Sequence, residues 1–137
     1  MASGVRCSDE CISRFNDLKL RKDCRYIIYK IEGTKEIVVS EVCERDCDFE
    51  HFRQRLLSDN SPCYAALDFE PEKNNSSLVL VSWIPDSAVV KDRMLYASSL
   101  DALKSKLVGC KAVLQLNDAG DLTETYFCET IPGYKKA

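Results

Sequence analysis

The sequence predicts an α/β domain: a central mixed sheet of five strands covered on both faces by helices. Three observations carry this. Runs such as Leu78-Val79-Leu80-Val81 and Cys63 to Phe69 are apolar at nearly every position, which suits strands buried on both sides and not strands with one wet face. Segments with apolar residues three and four apart interleave with these runs, so helices are available to cover both faces. The chain has 137 residues, 45% of them apolar, enough for one core and too few for two. A single domain over 1–137 is expected, with 1–6 as a flexible N-terminal segment and 130–137 as a flexible tail.

Ser8 or Asp9 can cap a first helix in which Cys11, Ile12, Phe15 and Leu18 recur at helical spacing. Arg25 to Ile31 and Glu36 to Val42 are β-branched and aromatic runs separated by Glu32-Gly33-Thr34-Lys35, whose glycine permits an antiparallel reversal. Asp46 or Asp48 opens a second helix that buries Phe49, Phe52 and Leu56, and Asp59-Asn60-Ser61-Pro62 ends it. Cys63 to Phe69 and Leu78 to Trp83 are the third and fourth strands. The polar stretch Glu70 to Ser77 joins them as a loop, because Pro71 and two asparagines oppose further pairing. Pro85-Asp86 breaks the fourth strand and a long helix follows, with Asp86 capping its exposed amides and Gly109 ending it in a left-handed conformation. Cys110 to Leu116 is the fifth strand, and a weak last helix spans about Asp121 to Glu129.

Composition excludes several classes of function. A formal charge of −3 and a pI near 5.2 oppose nucleic-acid binding, which needs a basic surface to neutralise phosphates. No apolar run approaches the roughly 18 residues of a membrane span, and MASGVRCSDE lacks the apolar stretch of a signal peptide. A soluble, intracellular protein is expected, so its eight cysteines should be reduced. Cys7 with Cys11 and Cys43 with Cys47 have C-x-x-x-C spacing and could each supply half of a zinc site, although structural zinc favours C-x-x-C knuckles; no metal and no cofactor are expected. The glycosylation pattern at Asn74 and Asn75 has no meaning in an intracellular chain. His51 is the only histidine and reads as a surface or half-buried residue, not a general base. There is no G-x-x-x-x-G-K-[ST], G-x-G-x-x-G or G-x-S-x-G run, so phosphate-loop and nucleophile-elbow chemistry lack their minimal residues. The chain does not read as an enzyme.

The long helix carries more apolar surface than folding requires. At about 100° per residue, Leu95, Tyr96, Ser99, Ala102, Leu103 and Leu107 form the stripe expected to face the core. The opposite side should be wholly polar, yet Met94, Ala97, Ser98, Asp101 and Ser105 gather there, bordered by Lys91, Arg93 and Lys104. A narrow apolar strip with a basic rim suits docking into a partner's groove. Trp83 and Tyr96 read as core packing, and Ser98-Ser99 can bond back to the preceding turn and bend the helix.

The string Trp83-x-Pro85-Asp86-x-Ala88-x-Val90-Lys91-x-Arg93-Met94-x-Tyr96-Ala97-Ser98-Ser99-x-Asp101-Ala102-Leu103 resembles the signature of the ADF/cofilin family of actin-binding proteins. MASGV at the N-terminus, RYIIYKIE and CYAALDFE are similar to other family segments, and only Asn117 to Ala137 fits poorly. The resemblance implies a single ADF-homology domain and a monomeric cytoplasmic protein of the actin cytoskeleton, with the nucleus open as a second location. It would bind monomeric actin, ADP-bound by preference, and promote filament disassembly. Met94 would be the apolar anchor, Lys91 and Arg93 would pair with acidic actin groups, and Ala97, Ser98, Asp101 and Lys104 would complete the face. Ser3, Gly4 and Val5 would reach the same actin subunit, and Ser3 matches a serine that family members use for regulation by phosphorylation. The basic rim would also meet phosphoinositide headgroups without insertion.

Two departures bear on filament severing. The stretch from Glu70 to Ser77 offers only Lys73 as a filament contact, and the tail is acidic until Lys135 and Lys136. Leu100 stands where the family usually carries a basic residue. Filament-side binding and severing are therefore expected to be weak. The alternatives are a coactosin-like protein that binds filament sides without severing, whose usual sequence lacks the Met94 to Ser99 run, and a cysteine-based metal or redox protein.

Overall fold

The structure is a computed structural model and describes residues 4–134. In chain order its elements are β1 (Arg6–Cys7), α1 (Asp9–Asn16), β2 (Cys24–Glu32), β3 (Glu36–Glu44), α2 (Phe49–Asp59), β4 (Cys63–Glu72), β5 (Asn75–Trp83), α3 (Val90–Lys104), β6 (Ala112–Leu116) and α4 (Glu124–Thr130). A π-helical turn over Asp17–Arg21 extends α1 and a 3-10 turn over Ala119–Asp121 precedes α4. The sheet has the order β1-β3-β2-β4-β5-β6. Its four central strands are antiparallel, while β1 joins β3 and β6 joins β5 in parallel. A parallel β5–β6 pair needs a crossover, and α3 supplies it.

The five expected strands are all present, and β1 is the sixth. Two residues are too few to carry a periodic signal; backbone pairing alone defines this strand, through Arg6 N–H to the Lys35 carbonyl and Ser8 N–H to the Ile37 carbonyl, each 2.9 Å. The N-terminal segment read as flexible over 1–6 is thus tied to the sheet at Arg6, and Val5 is buried.

Alternation along the strands separates two cores. Tyr26, Ile28, Ala65, Leu67, Phe69, Val79, Val81 and Trp83 face α2 and α4, where Phe52, Leu56 and Phe127 meet them. Ile27, Tyr29, Tyr64, Ala66 and Leu80 face α1 and α3, against Phe15, Leu18, Tyr96, Leu100 and Leu103. This is the two-sided burial that the apolar runs demanded. Asp68 is buried at one end of β4, where Arg45 Nη1 reaches its Oδ2 at 2.6 Å and Lys22 Nζ at 3.3 Å; a buried carboxylate needs such partners.

The turns follow from backbone chemistry. Gly33 and Thr34 both have positive φ, 60° and 59°, the pattern of a reversal whose twist matches antiparallel strands. Asp48 is the residue that caps α2, accepting from His51 N–H at 2.8 Å, and Asn60 ends the helix at a φ of 48°. The expected loop from Glu70 to Ser77 contracts to a two-residue turn at Lys73-Asn74. β4 continues to Glu72 through an irregularity after Phe69, which accommodates Pro71 where a regular ladder would exclude it.

The tail read as flexible over 130–137 is built into the α2/α4 core as far as residue 134. Ile131 and Tyr134 are buried there. The Tyr134 hydroxyl lies 3.1 Å from the carbonyls of Phe69 and Asn75 and 2.8 Å from Ser77 Oγ, so it braces the turn end of the β4–β5 hairpin. Helix α4 is shorter than the expected Asp121 to Glu129 because Thr123 caps it, accepting from Tyr126 N–H at 3.0 Å.

Candidate docking face

Helix α3 lies on the α1 side of the sheet and turns Tyr96, Ser99, Leu100 and Leu103 inward. Leu107 joins them from the turn that follows, while Leu95 and Ala102 are half-buried at the margins. Leu100, absent from the inner stripe that the sequence predicts, is 6% exposed and lies one turn from both Tyr96 and Leu103, so it fills the core. The helix also stops at Lys104, earlier than the expected Val108. Ser105 closes it, and Gly109, at φ 110°, lies beyond the short turn that follows.

Opposite this inner stripe, Lys91, Met94, Ala97, Ser98, Asp101, Lys104 and Ser105 are exposed. Met94 is 67% exposed, which folding alone does not favour for a long apolar side chain. Val89 and Val90 at the helix start are also exposed, and Val90 lies one turn before Met94. These two valines extend the apolar strip and were missing from the sequence reading; the i, i+4 relation of Val90 to Met94 was the signal that could have found the second of them. Ser98 Oγ donates back to the Leu95 carbonyl at 3.2 Å, the local bonding its position invited.

Arg93 is half-buried beside a cleft of about 290 Å³ lined by Ile84, Asp86, Ala97, Gln115 and Asn117. Its Nε has no hydrogen-bond partner among the described residues. Asp86 does not cap α3, whose start lacks a side-chain cap at Val89; it accepts instead from Asn117 Nδ2 at 3.3 Å, tying the loop before α3 to the end of β6.

The N-terminal segment runs beside this helix, with β1 packed against α3. Gly4 is exposed and Val5 is buried among Phe15, Tyr96 and their neighbours. Val5 therefore anchors the segment and offers little surface of its own. Ser3 lies outside the described residues. Lys73 is exposed at the β4–β5 turn.

The cysteine pairs do not meet. Cys7 and Cys11 belong to the α1/α3 core, whereas Cys43 and Cys47 pack against the α2/α4 core, so the sheet separates the two halves of the zinc site considered from the sequence. Burial pushes the Cys24 and Cys63 thiols up to about 12, which keeps both as neutral packing groups. His51 is exposed at the start of α2, with Nδ1 2.8 Å from the Tyr26 hydroxyl and 3.6 Å from Cys43 Sγ. Among the described residues no helix is long and apolar enough to cross a membrane.

The model of the family described as cofilin/tropomyosin-type actin-binding protein matches residues 4–131. The actin depolymerizing factor of Toxoplasma gondii is 42% identical, with 89% of this chain and 97% of that protein covered. Actophorin of Acanthamoeba castellanii is 34% identical over 89% of this chain and 91% of that protein. The crystal structure of Streptomyces griseoflavus cofilin superposes with a TM-score of 0.81 at 32% identity, covering 92% of this chain and 98% of that one. Relatives with these names favour a depolymerising factor over the coactosin-like alternative. With a matching family model over nearly the whole chain and the same six-stranded, four-helix fold, this protein belongs to the cofilin/tropomyosin-type actin-binding family.

Proposed function

We propose that the protein binds monomeric actin, ADP-bound by preference, through the outer face of α3 and promotes filament disassembly without turning over a substrate. The exposed Met94 carries this reading: an apolar side chain 67% exposed, continued by Val90 and Ala97 and bordered by Lys91, Lys104 and the half-buried Arg93. A standard protein interface buries on the order of 1,600 Å² and a few central residues each contribute about 2 kcal/mol or more. Met94 is suited to be such a centre. Lys91 and Arg93 would steer and register an acidic partner surface, and Ser98, Asp101 and Lys104 would complete the contact. Gly4 and Ser3 would extend it from the N-terminal segment, with Val5 holding that segment in place.

Filament-side binding and severing would be weak. Lys73 alone serves the tight β4–β5 turn, and α4 contributes Glu124 and Glu129. Phosphoinositide headgroups would compete for the basic rim, the protein would act as a cytoplasmic monomer with the nucleus as a second location, and phosphorylation of Ser3 would oppose actin binding. The deciding experiment is charge reversal of Lys91→Glu with Arg93→Glu, assayed by monomer pull-down, filament co-sedimentation and thermal melting. Lost monomer binding with an unchanged melt is the expected result. Unchanged affinity removes α3 as the site, and stoichiometric filament decoration by the unsubstituted protein overturns the weak-severing reading.

A further inference from the structure

Three soft donor groups converge at one end of the sheet, on the face opposite α3. Cys43 lies near the end of β3, directly across from Tyr26 in the β2–β3 register. Cys47 sits in the turn before α2, and His51 is in the first turn of α2. Cys43 Sγ is 3.0 Å from Cys47 Sγ and 3.6 Å from His51 Nδ1, and one donor atom from each residue lies within 4.8 Å of the other two. Both cysteines are free thiols and half-buried.

We infer that Cys43, Cys47 and His51 form a zinc(II) site that leaves the fourth position to water. Two sulfurs and an imidazole nitrogen are the donors that zinc takes from proteins, and three protein ligands with one open position is a recurrent zinc arrangement. The spacing C-x-x-x-C-x-x-x-H differs from a short knuckle because strand, turn and helix each supply one ligand.

The supporting structure is built in advance. Between the two cysteines, Arg45 fixes the turn by donating to the Cys24 carbonyl at 3.2 Å and to Asp68 at 2.6 Å. The Cys47 N–H donates to the Glu44 carbonyl at 3.1 Å. Asp48 holds the backbone of His51, while the Tyr26 hydroxyl, 2.8 Å from Nδ1, occupies the nitrogen that the metal would displace it from. Glu44 and Asp46 stand near Cys47, adding negative charge that favours a cation over an anion.

Tetrahedral zinc with bonds of about 2.3 Å holds two sulfurs roughly 3.8 Å apart, so the thiols must spread by less than about 1 Å. Exposed His51 and the half-buried sulfurs leave room for that movement. On binding, each thiol loses its proton to solvent, two Zn–S bonds and one Zn–N bond form, and the Tyr26 hydroxyl gives up its contact with Nδ1. No oxidant or reductant is involved.

The test uses reduced, metal-free full-length protein titrated with cobalt(II) and then zinc(II). One equivalent of cobalt should produce thiolate charge-transfer absorption and visible d–d bands that zinc abolishes. Because His51 is exposed, His51→Gln should fold normally, as a thermal melt will check, and weaken zinc at least about 10-fold in competition with a chromophoric chelator. Cys47→Ser should cut the charge-transfer intensity by at least about half, while Cys128→Ser should leave it intact. Absence of a saturable spectrum in the unsubstituted protein overturns the site, as does undiminished affinity in His51→Gln or loss of the signal in Cys128→Ser.

Discussion

The Tyr64 hydroxyl donates to the main-chain carbonyl of Tyr96 across 2.5 Å in the core. Tyr96 is held at its other end too, where its own hydroxyl accepts from the Ile31 N–H at 2.9 Å. Helix α3 is thereby tied to β4 and β2 at its middle, which fixes its rotation about its own axis. That rotation decides which residues face outward.

Removing these ties should cost unequal amounts. Tyr96→Phe leaves a partly buried N–H of β2 without its acceptor and should destabilise by about 1–3 kcal/mol, whereas Tyr64→Phe removes a second donor from a carbonyl already inside a helix and should cost about 1 kcal/mol. Urea denaturation of the two variants measures the difference, and equal or reversed costs would count against this account.

Leu100 and Met94 should separate stability from binding. Leu100→Ala empties core volume and is expected to cost about 2–5 kcal/mol. Met94→Ala should leave the melt within about 0.5 kcal/mol of the parent, as for an ordinary surface change, while weakening actin binding. A stability loss at Met94 comparable to that at Leu100 would mean the helix is seated differently.

Ser3→Glu should weaken binding to monomeric actin, because negative charge introduced beside a contact with an acidic surface repels it. A phosphorylated serine would carry roughly −2 and should act more strongly. Monomer affinity measured for Ser3→Glu and Ser3→Ala decides this, and equal affinities would remove Ser3 from the interface.

Thr34 occupies the left-handed region, φ 59°, where a β-branched residue is disfavoured. Replacing it with glycine should stabilise the β2–β3 hairpin by about 1 kcal/mol, since relief of the steric cost of roughly 1–2 kcal/mol outweighs the added freedom of the unfolded chain. A lower melting temperature for Thr34→Gly would reverse that balance.

Asp59 accepts from Lys30 Nζ at 2.5 Å and from Ser61 Oγ at 2.9 Å, and the Lys30 bond chiefly holds its carboxyl below the ordinary value of 3.8. A group whose pKa is depressed by folding stabilises above its unfolded pKa and loses that contribution as pH falls through the folded value. Lys30→Met should therefore be less stable than the parent at neutral pH, with the gap closing below about pH 3.8. A gap that persists in strong acid would mean that the loss is one of packing by the lysine stem.

The sequence was most readable where burial imposes a pattern. The continuous apolar runs of β4 and β5 announced a sheet covered twice, and the Met94 strip was visible because it broke the polarity expected of an outer helix face. Pairing between distant residues was not visible. Arg6 and Cys7 form a strand only because the backbone of β3 receives them, and Tyr134 is buried because distant carbonyls of Phe69 and Asn75 lie where its hydroxyl arrives. Leu100 belongs to the core as well, four residues from Tyr96 and three from Leu103, although the inner stripe drawn from the helical period left it out. The spacing of Cys43 and Cys47 marks them as a pair, but it does not say which cysteine comes to His51. Only the fold sets the capping turn of α2 against the end of β3.

The two ends of the described chain are anchored on opposite sides of the sheet, Val5 in the α1/α3 core and Tyr134 in the α2/α4 core. A fluorescent reporter attached ahead of Gly4 would crowd α3, the helix proposed as the docking face. A reporter joined after Tyr134 is attached on the other side of the sheet from α3 and is the design to use for following this protein in living cells.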